Sequence, residues 1–205
     1  MRIDPSVARR KFDREVRRLS DARDDLMAWG CVLVRASYPH IDLMFVPRNP
    51  LAVTFPSGQT KNQLILFDRT AQVGEAKMIS ARAFGVRIGL DDYDARAPSV
   101  WFLDPFTWEP LHYDQMFRVI HAESGGPPMN LLLDGHPIFH RPFICIRGVR
   151  EYHEHPQHSG DDWFLYRSSM SVVGLVQTLW RLCVRSMRPN LSIQTMKINW
   201  EARRN

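Results

Sequence analysis

The stretch Arg141–Trp163, "RPFICIRGVREYHEHPQHSGDDW", gathers groups that can do chemistry: Cys145, three histidines (His153, His155, His158) and the adjacent carboxylates Asp161 and Asp162. A thiol acts as a nucleophile when it is accessible and its surroundings favour the thiolate. Cys145 stands in "FICIR" between apolar neighbours. That context equally suits a small core residue on a strand. The H-x-H-x2-H run can set imidazoles around Zn²⁺, with Cys145 or an aspartate closing a tetrahedron. Its spacing matches no common zinc motif, and a solvated polar loop around Pro156 accounts for it as well. Asp161 and Asp162 can orient or deprotonate an incoming amine. They can also cap a helix beginning near Trp163.

The elements that must position these groups follow from patterning. "DPSVARRKFDREVRRLSDARDDLMAWG" predicts an amphipathic helix with Asp4 as its cap, Pro5 at its first position and Gly30 at its end. Phe12, Val16, Leu19 and Leu26 share one face, and Arg9, Arg10, Arg14, Arg17 and Arg18 spread over the others. "CVLVRASYP", "HIDLMFVP", "LAVTFP", "NQLILFD", "AFGVRIGL" and later "SVWFL" read as short strands. Without a helical period among them, they favour an antiparallel meander over a parallel sheet. A short helix is expected around Tyr113–His121, within an irregular insertion over residues 106–135 whose "SGGPP" centre is a turn. A further strand is expected around "FICIR". "SMSVVGLVQTLWRLCVRSM" predicts a last helix, capped by Ser169 or Ser171 and ended by Pro189. On it Val172, Leu175, Val176, Leu179, Leu182 and Cys183 form the apolar face. The expectation is one α+β domain over residues 1–205, with an exposed tail over 191–205.

Composition narrows the function. With 44% hydrophobic residues the chain can build a core. Its three cysteines are scattered, which argues against a disulfide framework and for a reducing compartment. The N-terminus shows no apolar signal region, and no apolar run is long enough to span a bilayer, so a cytoplasmic protein without a membrane partner is expected. The net charge of +5 permits nucleic acid or an acidic protein as partner. No aromatic stacking motif supports nucleic acid. Phosphate-binding glycine loops and the nucleophile elbow of the hydrolases are absent.

Taken in order, these pieces resemble a ubiquitin-conjugating (E2) domain, in particular the bacterial E2-like proteins encoded beside ubiquitin-like and E1-like activating proteins. In that family a His-Pro-Asn motif precedes the catalytic cysteine. Here "HPIFHRPFICI" supplies His136, Pro137 and then Cys145. An acidic residue, a tryptophan and a leucine-patterned helix follow, as in "GDDWFLYRSSMSVVGLVQTLWRL". "DDYDARAPSVWF" is similar to the family's proline-bearing segment before a strand.

The resemblance implies a UBC-like fold: N-terminal helix, four-stranded antiparallel meander, long catalytic segment, C-terminal helix. It implies a thioester on Cys145, formed with a ubiquitin-like protein from an E1-like enzyme and passed to a target protein, without a cofactor. The operon context of such proteins implies a role in antiphage defence. The helix carrying Arg9, Arg10, Arg14, Arg17 and Arg18 would dock the E1-like enzyme. Asp161 or Asp162 would orient the acceptor, with His136 in the motif. Ile138 stands where the family has asparagine. His140 or His153 would then have to supply the missing donor, because losing one oxyanion donor costs about 10²–10³ in rate. Two alternatives stay open: an E2-variant binding module without thioester chemistry, and a zinc protein or hydrolase built on His153, His155 and His158.

Overall fold

A computed structural model describes residues 4–46, 63–67, 76–116, 119–121, 129–186 and 194–196. The chain starts with α1 (Pro5–Asp21) and α2 (Arg23–Trp29). Asp4 caps α1 by accepting the Ser6 N–H at 2.7 Å, and Gly30 closes α2 in the left-handed region at φ 89°. The single helix expected from periodicity is thus two. The chain turns at Ala22 (φ −88°, ψ 8°), whose N–H bonds back to Arg18 O while its carbonyl accepts the Leu26 N–H and starts the second helix without a side-chain cap.

The central sheet is a four-stranded antiparallel meander of β1 (Cys31–Ser37), β2 (His40–Phe45), β5 (Phe84–Gly89) and β6 (Ser99–Leu103), in that spatial order. Between β2 and β5 the chain leaves the meander for a hairpin, β3 (Gln63–Phe67) with β4 (Ala76–Arg82). The "NQLILFD" segment therefore pairs in a second sheet, not in the meander. β11 (Gln194–Met196), within the tail expected to be exposed, pairs with β4. "LAVTFP", "SGGPP" and Pro189 lie outside the described residues.

Alternation sets the sheet's two faces. Ile41, Leu43, Phe45, Val86, Ile88, Val100 and Phe102 are buried and join Phe12 and Leu19 of α1 in one core. The same core takes Val172, Leu175, Val176, Leu179 and Cys183 of α5 (Val172–Ser186), the apolar face expected of that helix. Cys31 and Cys183 are buried, as their apolar surroundings suggest. Burial pushes the Cys31 thiol up to about 12 and Cys183 up as well, so neither offers a thiolate near neutrality. On the opposite face Asp42 is clamped between its cross-strand neighbours, Arg87 at 2.7 Å and Arg35 at 2.6 Å.

Glu15 ties the first helix to the last. Its side chain is fully buried on α1, and its carboxylate accepts from Arg18 (2.9 Å), Arg14 (3.1 Å) and the N–H of Val172 (3.3 Å), the first residue of α5. Ser171 caps the same helix end, its Oγ accepting the Gly174 N–H at 3.1 Å. A carboxylate at a helix N-terminus meets unpaired N–H groups and the positive end of the dipole. Glu15→Ala strands a buried donor and should cost about 1–3 kcal/mol, read as a lower denaturant midpoint in urea. An unchanged midpoint would mean that the contact is idle.

After β6 the helix expected around Tyr113–His121 is a single 3₁₀ turn at Tyr113–Gln115, followed by β7 (Ile120–His121), which pairs with β8 (Met129–Asn130). The competing strand pairing and the Asn130 carboxamide, which accepts the Val119 N–H at 2.9 Å, win over weak helical spacing. β9 (Leu132–Leu133) then pairs with β10 (Phe143–Ile144), the short strand expected at "FICIR". The long segment beyond β10 holds α3 (Arg150–His153), a 3₁₀ turn at Pro156–His158 and α4 (Trp163–Tyr166).

Candidate active site around Cys145

Cys145 follows β10 directly. Its backbone N–H donates to Leu131 O at 2.7 Å, so the main chain fixes the thiol's position. The side chain is half-buried, unlike Cys31 and Cys183. Its Sγ lies 3.2 Å from Nε2 of His158, close enough for the thiol to donate to the imidazole. Burial raises the Cys145 thiol above its ordinary range. Burial, followed by the charge of nearby His155, lowers His158. Both shifts favour a neutral pair: a thiol beside an unprotonated base.

The His158 ring is held by stacking. It lies 3.9 Å from the Tyr152 ring, nearly parallel at 20°. The Tyr152 hydroxyl donates to Asp161 Oδ2 at 2.5 Å, and Arg147 donates to the same oxygen through Nη2 at 3.0 Å. Asp161 is drawn down to about 2 by hydrogen bonding, from the Tyr152 hydroxyl first, then from Tyr166 and Arg147. Asp162 accepts the Phe164 N–H at 2.9 Å and so caps α4. The two adjacent carboxylates therefore separate in use: one anchors the tyrosine, the other begins a helix. His158 also lines a cavity of about 330 Å³ together with Arg96, His153, Asp161 and Trp163.

The other histidines do backbone work. His136 is fully buried. Its Nε2–H donates to Glu151 O at 2.7 Å, and Nδ1 accepts the N–H groups of Ile138 (3.1 Å) and Phe139 (3.2 Å). It thereby folds the turn that leads into β10, and burial lowers its pKa. His140 is exposed on that turn at φ 52° and donates its backbone N–H to His136 O at 2.8 Å. His153 Nδ1–H donates to Asp161 O at 2.6 Å, and Nε2 accepts the Gly148 N–H at 3.1 Å. Both ring nitrogens are spent on the loop.

Gly148 has φ 96°, a conformation that L side chains rarely adopt, so the backbone favours glycine there; the end of the Met170 side chain lies where a Cβ would stand. His155 Nδ1 accepts the Gln157 N–H at 3.2 Å, and its ring stacks on Phe143. The three loop imidazoles hydrogen-bond to different groups. Among the described residues no group of three His, Cys, Asp or Glu side chains is gathered to hold a metal ion. Spacing along a loop does not by itself fix where the rings point.

Arg9, Arg10, Arg14, Arg17 and Arg18 are all exposed on α1. Arg9 pairs with Asp13 at 3.1 Å, and Arg14 and Arg18 with Glu15. Ile138 is 54% exposed.

His158, Tyr152 and Arg147 are what sequence reasoning missed as a unit. His158 was visible only as a third metal ligand, and a histidine thirteen residues after a cysteine is no motif. The contact exists because α3 and the 3₁₀ turn double the chain back on β10.

The class is an α+β domain of UBC-like architecture: helices flanking a four-stranded antiparallel meander, then a long segment and a last helix. Within that class, residues 63–187 match the Y4jH-like family, and the chain belongs to the Y4jH family. It is 29% identical over 185 residues to uncharacterized protein y4jH of Sinorhizobium fredii (strain NBRC 101917 / NGR234), covering 82% of this chain and 76% of that protein. No described helix is long and apolar enough to cross a membrane.

Proposed function

We propose that this protein is an E2-like conjugating enzyme. Cys145 takes the C-terminal acyl group of a ubiquitin-like protein from an E1-like enzyme as a thioester and passes it to a nucleophile on a target. One observation carries this reading: in a UBC-like architecture, the half-buried thiol that follows the His136–Pro137 turn has an imidazole 3.2 Å from its sulfur. A cysteine that is only packing needs no base beside it. In the reaction His158 takes the thiol proton while the Cys145 sulfur attacks the carbonyl carbon of the incoming thioester, whose C–S bond to the E1-like enzyme then breaks, and the departing thiolate recovers the proton. The exposed arginines of α1 form the proposed docking face for the E1-like enzyme, and the proposed setting is cytoplasmic antiphage defence.

A second reading, an E2-variant that binds without chemistry, draws on the exposed Ile138, which cannot donate to an oxyanion. Co-expression with the genomic neighbours followed by intact-mass measurement separates the two. Wild type should carry a thiol-labile adduct, Cys145→Ser a more stable oxyester, and Cys145→Ala none. No adduct on wild type or Cys145→Ser, with the activating enzyme shown to be active, would leave the binding module.

A further inference from the structure

We propose that the acceptor served by Cys145 is a serine or threonine hydroxyl, not a lysine amine, with His158 Nε2 as the base that deprotonates it. The inference rests on Cys145 carrying an acyl group, as proposed above. An unprotonated amine attacks a thioester with its own lone pair, so a nearby carboxylate that orients it and takes up the released proton is enough. An alcohol is a weak nucleophile and must lose its proton as it attacks, which calls for a positioned general base.

The site has the second kind of group and not the first. Asp161 is engaged by Tyr152 and Arg147, and donors that hold a carboxylate in its ionised form make it a poor proton acceptor. Asp162 is engaged at the start of α4. His136 and His153 have both ring nitrogens bonded to the backbone. His158 meets the sulfur itself, with its ring clamped against Tyr152. Once Cys145 is acylated it has no proton to donate, and Nε2, 3.2 Å from the sulfur, is free to accept one from an incoming hydroxyl.

The step balances. The hydroxyl oxygen bonds to the thioester carbonyl carbon as its proton moves to Nε2. The tetrahedral intermediate then collapses, breaking the C–S bond. The departing Cys145 thiolate recovers the proton from the imidazolium. The products are an ester and the free thiol, with no change in oxidation state.

The test uses a synthetic donor: the acetyl-Gly-Gly thioester of mercaptoethanesulfonate, incubated with the full chain at pH 9. Intact mass follows charging, and Cys145→Ala serves as the control. Excess donor is then removed, and N-acetylserine amide, N-acetylthreonine amide or Nα-acetyllysine amide is added at pH 7. The expected result is ester formation from the hydroxyl acceptors ahead of amide formation from lysine. His158→Gln should slow the hydroxyl reaction by about 10²–10⁴, far more than it slows discharge by lysine at pH 10. That lysine arm also shows whether the variant still presents its acylated cysteine.

Faster discharge to lysine at pH 7, equal hydroxyl rates with and without His158, or loss of the acyl group to water alone would each overturn the acceptor assignment while leaving the carrier role of Cys145 intact. Failure of the wild type to charge would overturn the conjugating reading and this inference with it.

Discussion

Glu151→Ala is expected to destabilise the protein by about 3 kcal/mol or more, toward the 3–5 kcal/mol typical of breaking a buried ion pair. Glu151 has no exposed surface. Its carboxylate accepts from the Ser99 hydroxyl, the Arg141 guanidinium and the Val100 N–H. Arg141 is caught between this carboxylate and the Trp101 ring, whose centroid is 4.3 Å from its guanidinium carbon. Burial lowers the Arg141 pKa, and Glu151 is its main compensation. Removing the carboxylate leaves a desolvated cation, a hydroxyl and a strand N–H without their partner.

The Arg141 side chain is 24% exposed and can turn partly to water, which sets the expectation at the lower end of that range. Guanidinium titration should give a lower midpoint with an unchanged slope. Glu151→Gln should fall between, since an amide oxygen still accepts but carries no charge. A loss below about 1 kcal/mol would place the pair among those whose desolvation cost cancels its attraction. The effect should reach the site: α3 carries Glu151, Tyr152 and His153 in succession, and the Glu151 carbonyl is the acceptor for His136.

The second expectation concerns pH. Only the thiolate reacts with iodoacetamide. Burial raises Cys145, and burial with His155 lowers His158, so the resting pair is neutral. The groups facing His158 are Cys145, the Tyr152 ring, His155, His153 and Asp161. Asp161 alone among these favours the imidazolium, and it does not outweigh the rest. The alkylation rate of Cys145 should therefore climb through the alkaline range with no plateau near pH 5–6.

At pH 6 an ordinary thiol is only about 0.3% ionised, and a raised one less. A preformed thiolate–imidazolium pair would already be fully ionised there and would hold its rate down to the pKa of the thiol, even though a low-pKa thiolate is the weaker nucleophile. A rate plateau in wild type below pH 6 that vanishes in His158→Ala would establish the ion pair and refute the neutral one. Cys31 and Cys183 are fully buried, so the labelling reports Cys145, with Cys145→Ala as the blank.

Some of this was set by local sequence. Asp4, Pro5 and Gly30 bound the first helical region because capping and left-handed φ depend on residues adjacent in the chain. The alternation in β2 and β5 and the apolar spacing in α5 chose which side chains enter the core, since each element's period acts within itself. The meander followed from short strands without helices between them. The resemblance to conjugating enzymes drew attention to Cys145 and to the His136–Pro137 turn.

What tertiary structure decided involves partners far apart in the chain. Glu15 reaches the start of α5 across 157 positions, and Glu151 reaches Ser99 across 52. No local pattern announces either. The hairpin β3–β4 left the meander because strand propensity does not specify a partner. The histidine loop shows the same limit most clearly. Sequence offered three equivalent imidazoles; the fold bonded His153 to the backbone, packed His155 on Phe143 and aimed His158 at sulfur. Residue type fixes what a histidine can do. Which neighbour it meets is fixed by the path of the chain, and only that path turns one of three similar rings into a base beside a thiol.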